Sequence, residues 1–71
     1  ISQVQMPANQ TYQGQANSIE IWIIIDGAVC LHTGHMHQID MATGKAFAIF
    51  AGQRYSLTSS QKTLMYKAFV P

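Results

Sequence analysis

Short runs of apolar residues, separated by turn-forming residues, make up most of the chain after residue 18. The segment 19–25 reads IEIWIII and includes the longest apolar run, 21–25; its β-branched and aromatic residues predict a central β-strand. Its odd and its even positions are both largely apolar, so the pattern predicts burial on both faces. Such burial is typical of a strand in a sandwich or barrel that packs against a neighbour.

The turn signals that follow this strand predict a series of further short strands. Asp26-Gly27 tolerates positive φ at both residues and predicts a β-hairpin whose return strand is 28–32. Four more strands are predicted at 35–40, 45–50, 55–58 and 63–70, with turns between them at 33–34, 42–44, 51–53 and 59–61. No segment has the apolar spacing of a helix. The prediction is an all-β domain, a small jelly-roll barrel or sandwich of about six to seven strands.

The first 17 residues differ in composition from the rest. They contain five glutamines and no charged residue, and Pro7 and Gly14 interrupt any helix. We expect residues 1–17 to form an extended N-terminal arm, with a turn near 7–9, that lies along the edge of a sheet. The β-barrel domain is then assigned to residues 18–71.

The charge content indicates that part of the surface faces another protein. Charged residues make up 10% of the 71-residue chain, against roughly 25% in ordinary soluble domains. A chain this short is also marginal without support, and its single cysteine excludes an internal disulfide. We therefore expect a homodimer or a neighbouring domain of a longer chain. The alternative is a surface made polar by Gln, Ser and Thr. The chain begins at Ile1 without Met, so we expect it to be either processed or, preferably, a fragment.

Two classes of partner are excluded by the distribution of charge and hydropathy. The four basic residues are scattered, whereas nucleic-acid binding needs them clustered on one face. The longest apolar run is far shorter than the roughly 20 residues that span a bilayer. With no secretion signal and one free thiol, we expect a cytoplasmic protein.

Two glycine-framed segments resemble the paired signatures of cupins. Glu20 is followed by Gly27 with the spacing of the end of the first signature, G-x5-H-x-H-x3,4-E-x6-G. Gly44, Phe50 and Gly52 match the start of the second, G-x5-P-x-G-x2-H-x3-N, with Phe in place of Pro. The resemblance implies a jelly-roll barrel in which each glycine supplies a positive-φ corner.

The metal-ligand positions of the cupin signatures are substituted in this chain. The two histidines of the first signature correspond to Gln13 and Gln15, the histidine of the second corresponds to Tyr55, and only Glu20 is kept. A transition metal requires several imidazoles or carboxylates that converge on one point. We therefore expect no metal and no cofactor in this chain.

Within the cupins, residues 19–70 are similar to the C-terminal β-domain of type I mannose-6-phosphate isomerases. The residues that carry the similarity are 26–27, 44–52, 56–58 and 63–68. That family interconverts mannose 6-phosphate and fructose 6-phosphate, and its zinc and substrate sites lie in a separate, earlier domain. The resemblance thus implies a non-catalytic domain for packing or oligomerisation, with zinc only in a catalytic domain that this chain lacks.

Two other functions stay open at this point, each with its own candidate residues. A small cupin could bind a polar ligand such as a sugar inside its barrel, and the candidate residues are Gln15, Glu20, Trp22 and Tyr55. A metal-dependent enzyme could use His32, His35 and His37, since alternate residues of a strand share a face.

Two further side chains are expected to be structural. We expect Glu20 to pair with Arg54 or Lys67, or to lie at a strand end open to water, because a buried carboxylate without a partner is costly. Cys30 has His32 nearby in sequence but no third group that would orient a base, and it is predicted to be a core cysteine.

Overall fold

The computed structural model describes residues 1–34 and 37–69, and these form eight β-strands joined by short turns. The strands are β1 (Ser2–Met6), β2 (Thr11–Gln15), β3 (Glu20–Asp26), β4 (Ala28–Thr33), β5 (His37–Ala42), β6 (Ala46–Ile49), β7 (Arg54–Ser59) and β8 (Thr63–Phe69). Within the described ranges, no helix has the length and apolar character needed to cross a membrane.

The strands form two four-stranded antiparallel sheets that face each other across one core. Sheet I has the order β1-β8-β3-β6, and sheet II has the order β2-β7-β4-β5. Strands that are distant in sequence are neighbours in each sheet, which is the double Greek-key arrangement of a jelly roll. The predicted all-β jelly-roll class is therefore confirmed, with one or two strands more than expected.

The additional strands come from the segment that the sequence analysis treats as an arm. β1 pairs with β8 at the edge of sheet I, and β2 pairs with β7 at the edge of sheet II. Between them the chain turns at Asn9, which has a φ of 61°, and the backbone N–H of Gln10 donates to Ser59 Oγ at 3.0 Å. Residues 1–17 are thus part of the barrel, which begins at Ser2 rather than at residue 18.

The Asp26-Gly27 corner connects the two sheets. β3 belongs to sheet I and β4 to sheet II, so the predicted hairpin between them is wrong. The predicted positive φ is nevertheless present, at 122° for Gly27. A Cβ atom on Gly27 would lie 2.7 Å from the Cα of Thr63, so the corner requires glycine for its conformation and for the close approach of the chain.

The two faces of β3 have different environments. Glu20, Trp22 and Ile24 point into the core and are buried. Ile21, Ile23 and Ile25 are 51%, 40% and 41% exposed, respectively. The prediction that this strand is buried on both faces is wrong for the single chain, because sheet I has a second layer on one side only.

The core lies between the sheets and contains side chains from both. Its buried apolar members are Met6, Ala16, Trp22, Ile24, Val29, Leu31, Ile49, Tyr55, Leu57 and Met65. The largest of these side chains, among them Trp22, Ile24 and Leu57, are fully buried.

Candidate functional site

The candidate site is a hydrogen-bonded group of three side chains in the core. Glu20, at the start of β3, is 8% exposed, and its Oε1 accepts a hydrogen bond from the Tyr55 hydroxyl at 2.9 Å. The indole Nε1 of Trp22 donates to the same oxygen at 3.2 Å. Tyr55 belongs to sheet II and the other two residues to sheet I, so this group, the Glu20–Tyr55–Trp22 triad, joins the two sheets.

Strand alternation explains how the triad forms. Glu20 and Trp22 are two residues apart on β3 and therefore point to the same side of sheet I. Tyr55 is the second residue of β7, whose inward positions alternate with outward ones in the burial pattern. Three of the four residues predicted to lie inside the barrel are thus brought together.

Aromatic rings enclose the indole of Trp22. Phe47 stacks on it with a centroid distance of 6.0 Å and an interplanar angle of 5°. Tyr12 and Tyr55 contact it edge-on, at centroid distances of 5.7 Å and 6.0 Å. Edge-on and offset stacked pairs are the favoured arrangements of aromatic rings, so the ring packing holds Trp22 in the orientation that donates to Glu20.

Gly14 and Tyr12 contribute to the site and were missed by the sequence analysis. A Cβ atom on Gly14 would lie 2.9 Å from the Tyr55 hydroxyl oxygen, so glycine leaves the room that this hydroxyl occupies. Tyr12 stacks on Tyr55 at a centroid distance of 6.2 Å. The alternation of Tyr12, Gly14 and Ala16 with polar glutamines was the signal that predicts a half-buried strand here.

Gln15 lies on the outer side of sheet II, and its predicted place inside the barrel is wrong. Its side chain is exposed and its Nε2 donates to the backbone carbonyl of Gly52 at 3.2 Å. Because neighbours in a strand point to opposite faces, the inward position of Gly14 places Gln13 and Gln15 outside. The two glutamines that correspond to the cupin histidines therefore do not face Glu20.

The cations expected to pair with Glu20 make other contacts. Arg54 is exposed and is directly opposite Gln15 on the outer side of sheet II. The Lys67 ammonium lies over the ring of Trp22, 5.3 Å from its centroid, in a cation–π contact. The carboxylate of Glu20 is instead stabilised by the phenol and indole donors of the triad.

The Tyr55 hydroxyl remains protonated in this environment. Burial of its side chain and the adjacent Glu20 carboxylate both raise the pKa of Tyr55 above its ordinary value, burial having the larger effect. A neutral phenol donates a hydrogen bond to the carboxylate, whereas a phenolate would repel it. Tyr55 can thus act as a structural donor and is a poor general base or nucleophile near neutral pH.

The triad does not fit a transition metal. One carboxylate oxygen of Glu20 already accepts two hydrogen bonds, and its neighbours are a neutral phenol and an indole N–H, which is a donor only. Within residues 1–34 and 37–69, no group of three His, Cys, Asp or Glu side chains is placed to hold a metal ion. The donor set therefore disagrees with the metal centre of the cupin signatures.

The second candidate metal cluster is described only in part. His32 is on the outer side of β4, and its Nε2 lies 3.2 Å from the Sγ of Cys30. His35 and the side chain of His37 lie outside the described residues. Cys30 is half-buried on that outer side, so the prediction of a core cysteine is wrong. Partial burial, with a smaller contribution from the neighbouring Asp40, raises the pKa of the Cys30 thiol, which disfavours the reactive thiolate.

Comparison with solved structures gives several close matches in backbone. A cupin superfamily protein from Desulfitobacterium hafniense has a TM-score of 0.89 at 8% identity, over 97% of this chain and 64% of that protein. A DUF861 family protein from Thermotoga maritima has a TM-score of 0.85 at 12% identity, over 97% and 77%. The cupin domain of Schizosaccharomyces pombe Cnp3 has a TM-score of 0.81 at 19% identity, over 92% and 47%.

These matches establish the fold and not the activity. No protein-family model matches the chain, and no curated protein matches it in sequence. The chain spans just under two thirds of the length of the D. hafniense protein. The cupin part of the predicted resemblance is confirmed, and the chain has a cupin-type jelly-roll fold.

Proposed function

We propose that this chain is a non-catalytic cupin-fold domain that serves packing and oligomerisation. The observation that carries the proposal is the Glu20–Tyr55–Trp22 triad, in which the one retained ligand residue of the cupin signatures is engaged by two donors of the core. A buried carboxylate is destabilised when its hydrogen-bond donors are removed. The two donors of the triad therefore favour a structural role for Glu20.

The surroundings of the triad also argue against proton-transfer chemistry. A general acid or base must exchange a proton with a substrate near neutral pH. Tyr55 has a raised pKa and an indole N–H does not titrate in the accessible range. Trp22 is fully buried, and the one carboxylate of the triad, Glu20, is only 8% exposed where it lines a cavity.

A role in assembly is supported by the low charge of the chain and by its exposed apolar residues. Ile21, Ile23 and Ile25 lie on the outer side of sheet I and are each at least 40% exposed. Contiguous exposed apolar surface on a soluble protein commonly marks a site of interaction with another protein.

The finer resemblance, to the C-terminal β-domain of type I mannose-6-phosphate isomerases, stays a prediction. It implies that zinc and substrate are bound by another domain and that this chain supplies a packing surface. We therefore expect the purified chain to show no interconversion of mannose 6-phosphate and fructose 6-phosphate when zinc is added.

Metal analysis and an activity assay test the non-catalytic proposal together. The purified chain is dialysed against chelator, and zinc, iron, nickel and manganese are measured per mole of protein. We expect less than about a tenth of an equivalent of each and no isomerase turnover after zinc is added back. One equivalent of retained metal, lost in Glu20→Gln and kept in the outer-face control Gln15→Ala, would overturn the proposal.

A second candidate function is the binding of a small polar ligand at the open end of the barrel. A cavity of about 440 Å³ is lined there by Asn17, Ser18, Glu20, Lys67 and Phe69, which combine a carboxylate, an ammonium and an exposed ring. Polar groups beside an aromatic ring are typical of small-ligand sites. Titration of Trp22 fluorescence with mannose and with mannose 6-phosphate tests it: a saturable change absent in Lys67→Ala would favour this function over the non-catalytic packing role.

A further inference from the structure

The outer side of sheet I is an almost uncharged apolar surface formed by all four strands. The register places Gln3, Tyr66, Ile23 and Ala46 in one row across the sheet, and Ala68, Ile21 and Ala48 in the next. Residues directly opposite each other in a sheet share a face. We call this surface the outer apolar face; its members are Gln3, Gln5, Leu64, Tyr66, Ala68, Ile21, Ile23, Ile25, Ala46 and Ala48.

The outer side of sheet II has the opposite character. Its rows contain Gln13, Ser56, His32 and Gln38, and then Thr11, Thr58, Cys30 and Asp40. Arg54 and Gln15 face each other at one end of the same surface. One broad side of the domain is thus polar, whereas the other carries β-branched apolar residues that favour removal from water.

The charges near the outer apolar face stand at its rim and have both signs. Asp26 is at the end of β3, opposite Leu64, and Lys62 lines a cavity together with these two residues. Among the described residues, the centre of the face around Ile23 and Tyr66 carries no ionisable side chain other than the Tyr66 phenol. A second copy that approaches this centre therefore meets no like charge.

The size of the outer apolar face suits a dimer of this chain. The domain measures 28 × 27 × 17 Å and has 4655 Å² of accessible surface. Each broad side of such a slab is about a fifth of the surface, or roughly 1,000 Å², slightly more than the roughly 800 Å² per partner of a standard interface. One sheet face is thus enough for a specific dimer.

We propose that the outer apolar face binds the same face of a second copy of this chain. This inference rests on the proposed packing role and names the partner. The contact is isologous, with sheet I of one copy packed on sheet I of the other as in a sandwich, and with Ile23 and Tyr66 near the two-fold axis. Both copies then bury their isoleucines, and both keep the polar outer side of sheet II in water.

Sedimentation equilibrium of the full chain at micromolar concentration tests the proposal. The expected mass is twice 7.9 kDa. Ile23→Glu places a charge at the centre of the interface in both copies, and we expect it to raise the dissociation constant at least about 30-fold. Ser56→Glu is the matched control, because it adds the same charge at the centre of the other outer side.

A second variant separates loss of the interface from loss of the fold. Ile21 is the most exposed isoleucine of β3, so Ile21→Lys should fold as a monomer with the circular dichroism of the wild-type chain. The proposal is supported if both sheet I variants are folded monomers while Ser56→Glu stays dimeric. A monomeric wild-type chain, an open-ended series of larger species, or a dimer broken by Ser56→Glu but not by the sheet I variants would each overturn it.

The failure of this inference is distinct from the failure of the proposed function. A monomer that retains no metal would leave the non-catalytic proposal standing and remove only the second copy as partner. A dimer that retains one equivalent of metal per chain would refute the non-catalytic proposal and leave the second copy as the partner.

Discussion

Tyr55→Phe removes one hydroxyl from the triad and leaves the packing of the ring in place. The lost hydrogen bond joins the Tyr55 hydroxyl to Glu20 Oε1 at 2.9 Å, and the carboxylate it serves is 8% exposed. Trp22 remains as a donor, at 3.2 Å. Hydrogen bonds to charged groups contribute about 1.5–3 kcal/mol, and a buried acceptor that loses its donor retains the cost of desolvation. We therefore expect the free energy of unfolding to fall by about 2 kcal/mol at pH 7.

The assay is urea unfolding followed by circular dichroism, with thermal unfolding as a second measurement. For a domain of this size, 1 kcal/mol changes Tm by about 4–8 °C, so the variant should melt roughly 8–16 °C lower. Thr11→Val is the control, because it removes a hydroxyl of similar kind from the exposed outer side of sheet II, away from the triad. The control should change stability by less than about 0.5 kcal/mol.

The pH dependence gives an independent check of the same hydrogen bond. The pKa of Tyr55 is raised in the folded chain from an ordinary value of 10.0. The stabilising effect of the Tyr55 hydroxyl is therefore fully present below pH 10. It is lost as the pH rises further, because Tyr55 releases its proton in the unfolded chain and keeps it in the folded chain. Between pH 10 and 11 the difference between wild type and Tyr55→Phe should shrink by up to about 1.4 kcal/mol. Equal stabilities at pH 7, or a difference that grows above pH 10, would refute the structural role of the triad.

Three other predictions follow from the corners and the outer surface. Gly27→Ala should destabilise the chain by about 2–4 kcal/mol in urea unfolding, because the backbone conformation and the close approach of the chain both exclude a Cβ. Gly44 has a positive φ but open space around it, so Gly44→Ala should cost only about 1–2 kcal/mol. Equal costs would contradict the role of close packing at Gly27. Gln15→Ala should change stability by less than about 0.5 kcal/mol, since the hydrogen bond of Gln15 is exposed. A larger loss would show that Gln15 contributes to the candidate site. Cys30 should react with iodoacetamide at pH 7.5 more slowly than a free thiol, and Asp40→Asn should speed the reaction, because Asp40 helps to raise the pKa of the thiol; an unchanged rate would exclude this effect of Asp40.

The strands after residue 18 were predictable because their apolar runs and turn residues follow simple local rules, whereas β1 and β2 lie in the segment expected to be an arm. The predicted strand 55–58 lies within β7 (Arg54–Ser59), and the positive φ at Gly27 follows from the residue type. The partner of each strand was not predictable in the same way. A glycine corner suits a hairpin and a passage between sheets equally well, and the choice at Gly27 is made by packing against Thr63, which is distant in sequence.

The site was predictable to the extent that strand alternation determines it. Glu20 and Trp22 share a face by their spacing, and Tyr55 was indicated by its place in the cupin signature. Gln15 was misplaced because the signature was followed without the alternation of β2, in which Gly14 points inward. The hydrogen bond between Glu20 and Tyr55 could not be derived locally, since it crosses from one sheet to the other.

The most direct test of the structural role of the Glu20–Tyr55–Trp22 triad uses the only tryptophan of the chain. Trp22 has a single indole N–H, which donates to Glu20, so a ¹⁵N-labelled sample gives one indole signal. That signal should exchange slowly with solvent and should keep its position when zinc, nickel or iron(II) is added to equimolar concentration. A stoichiometric shift or loss of the signal, absent in Glu20→Gln, would show that Glu20 binds metal and would contradict the account.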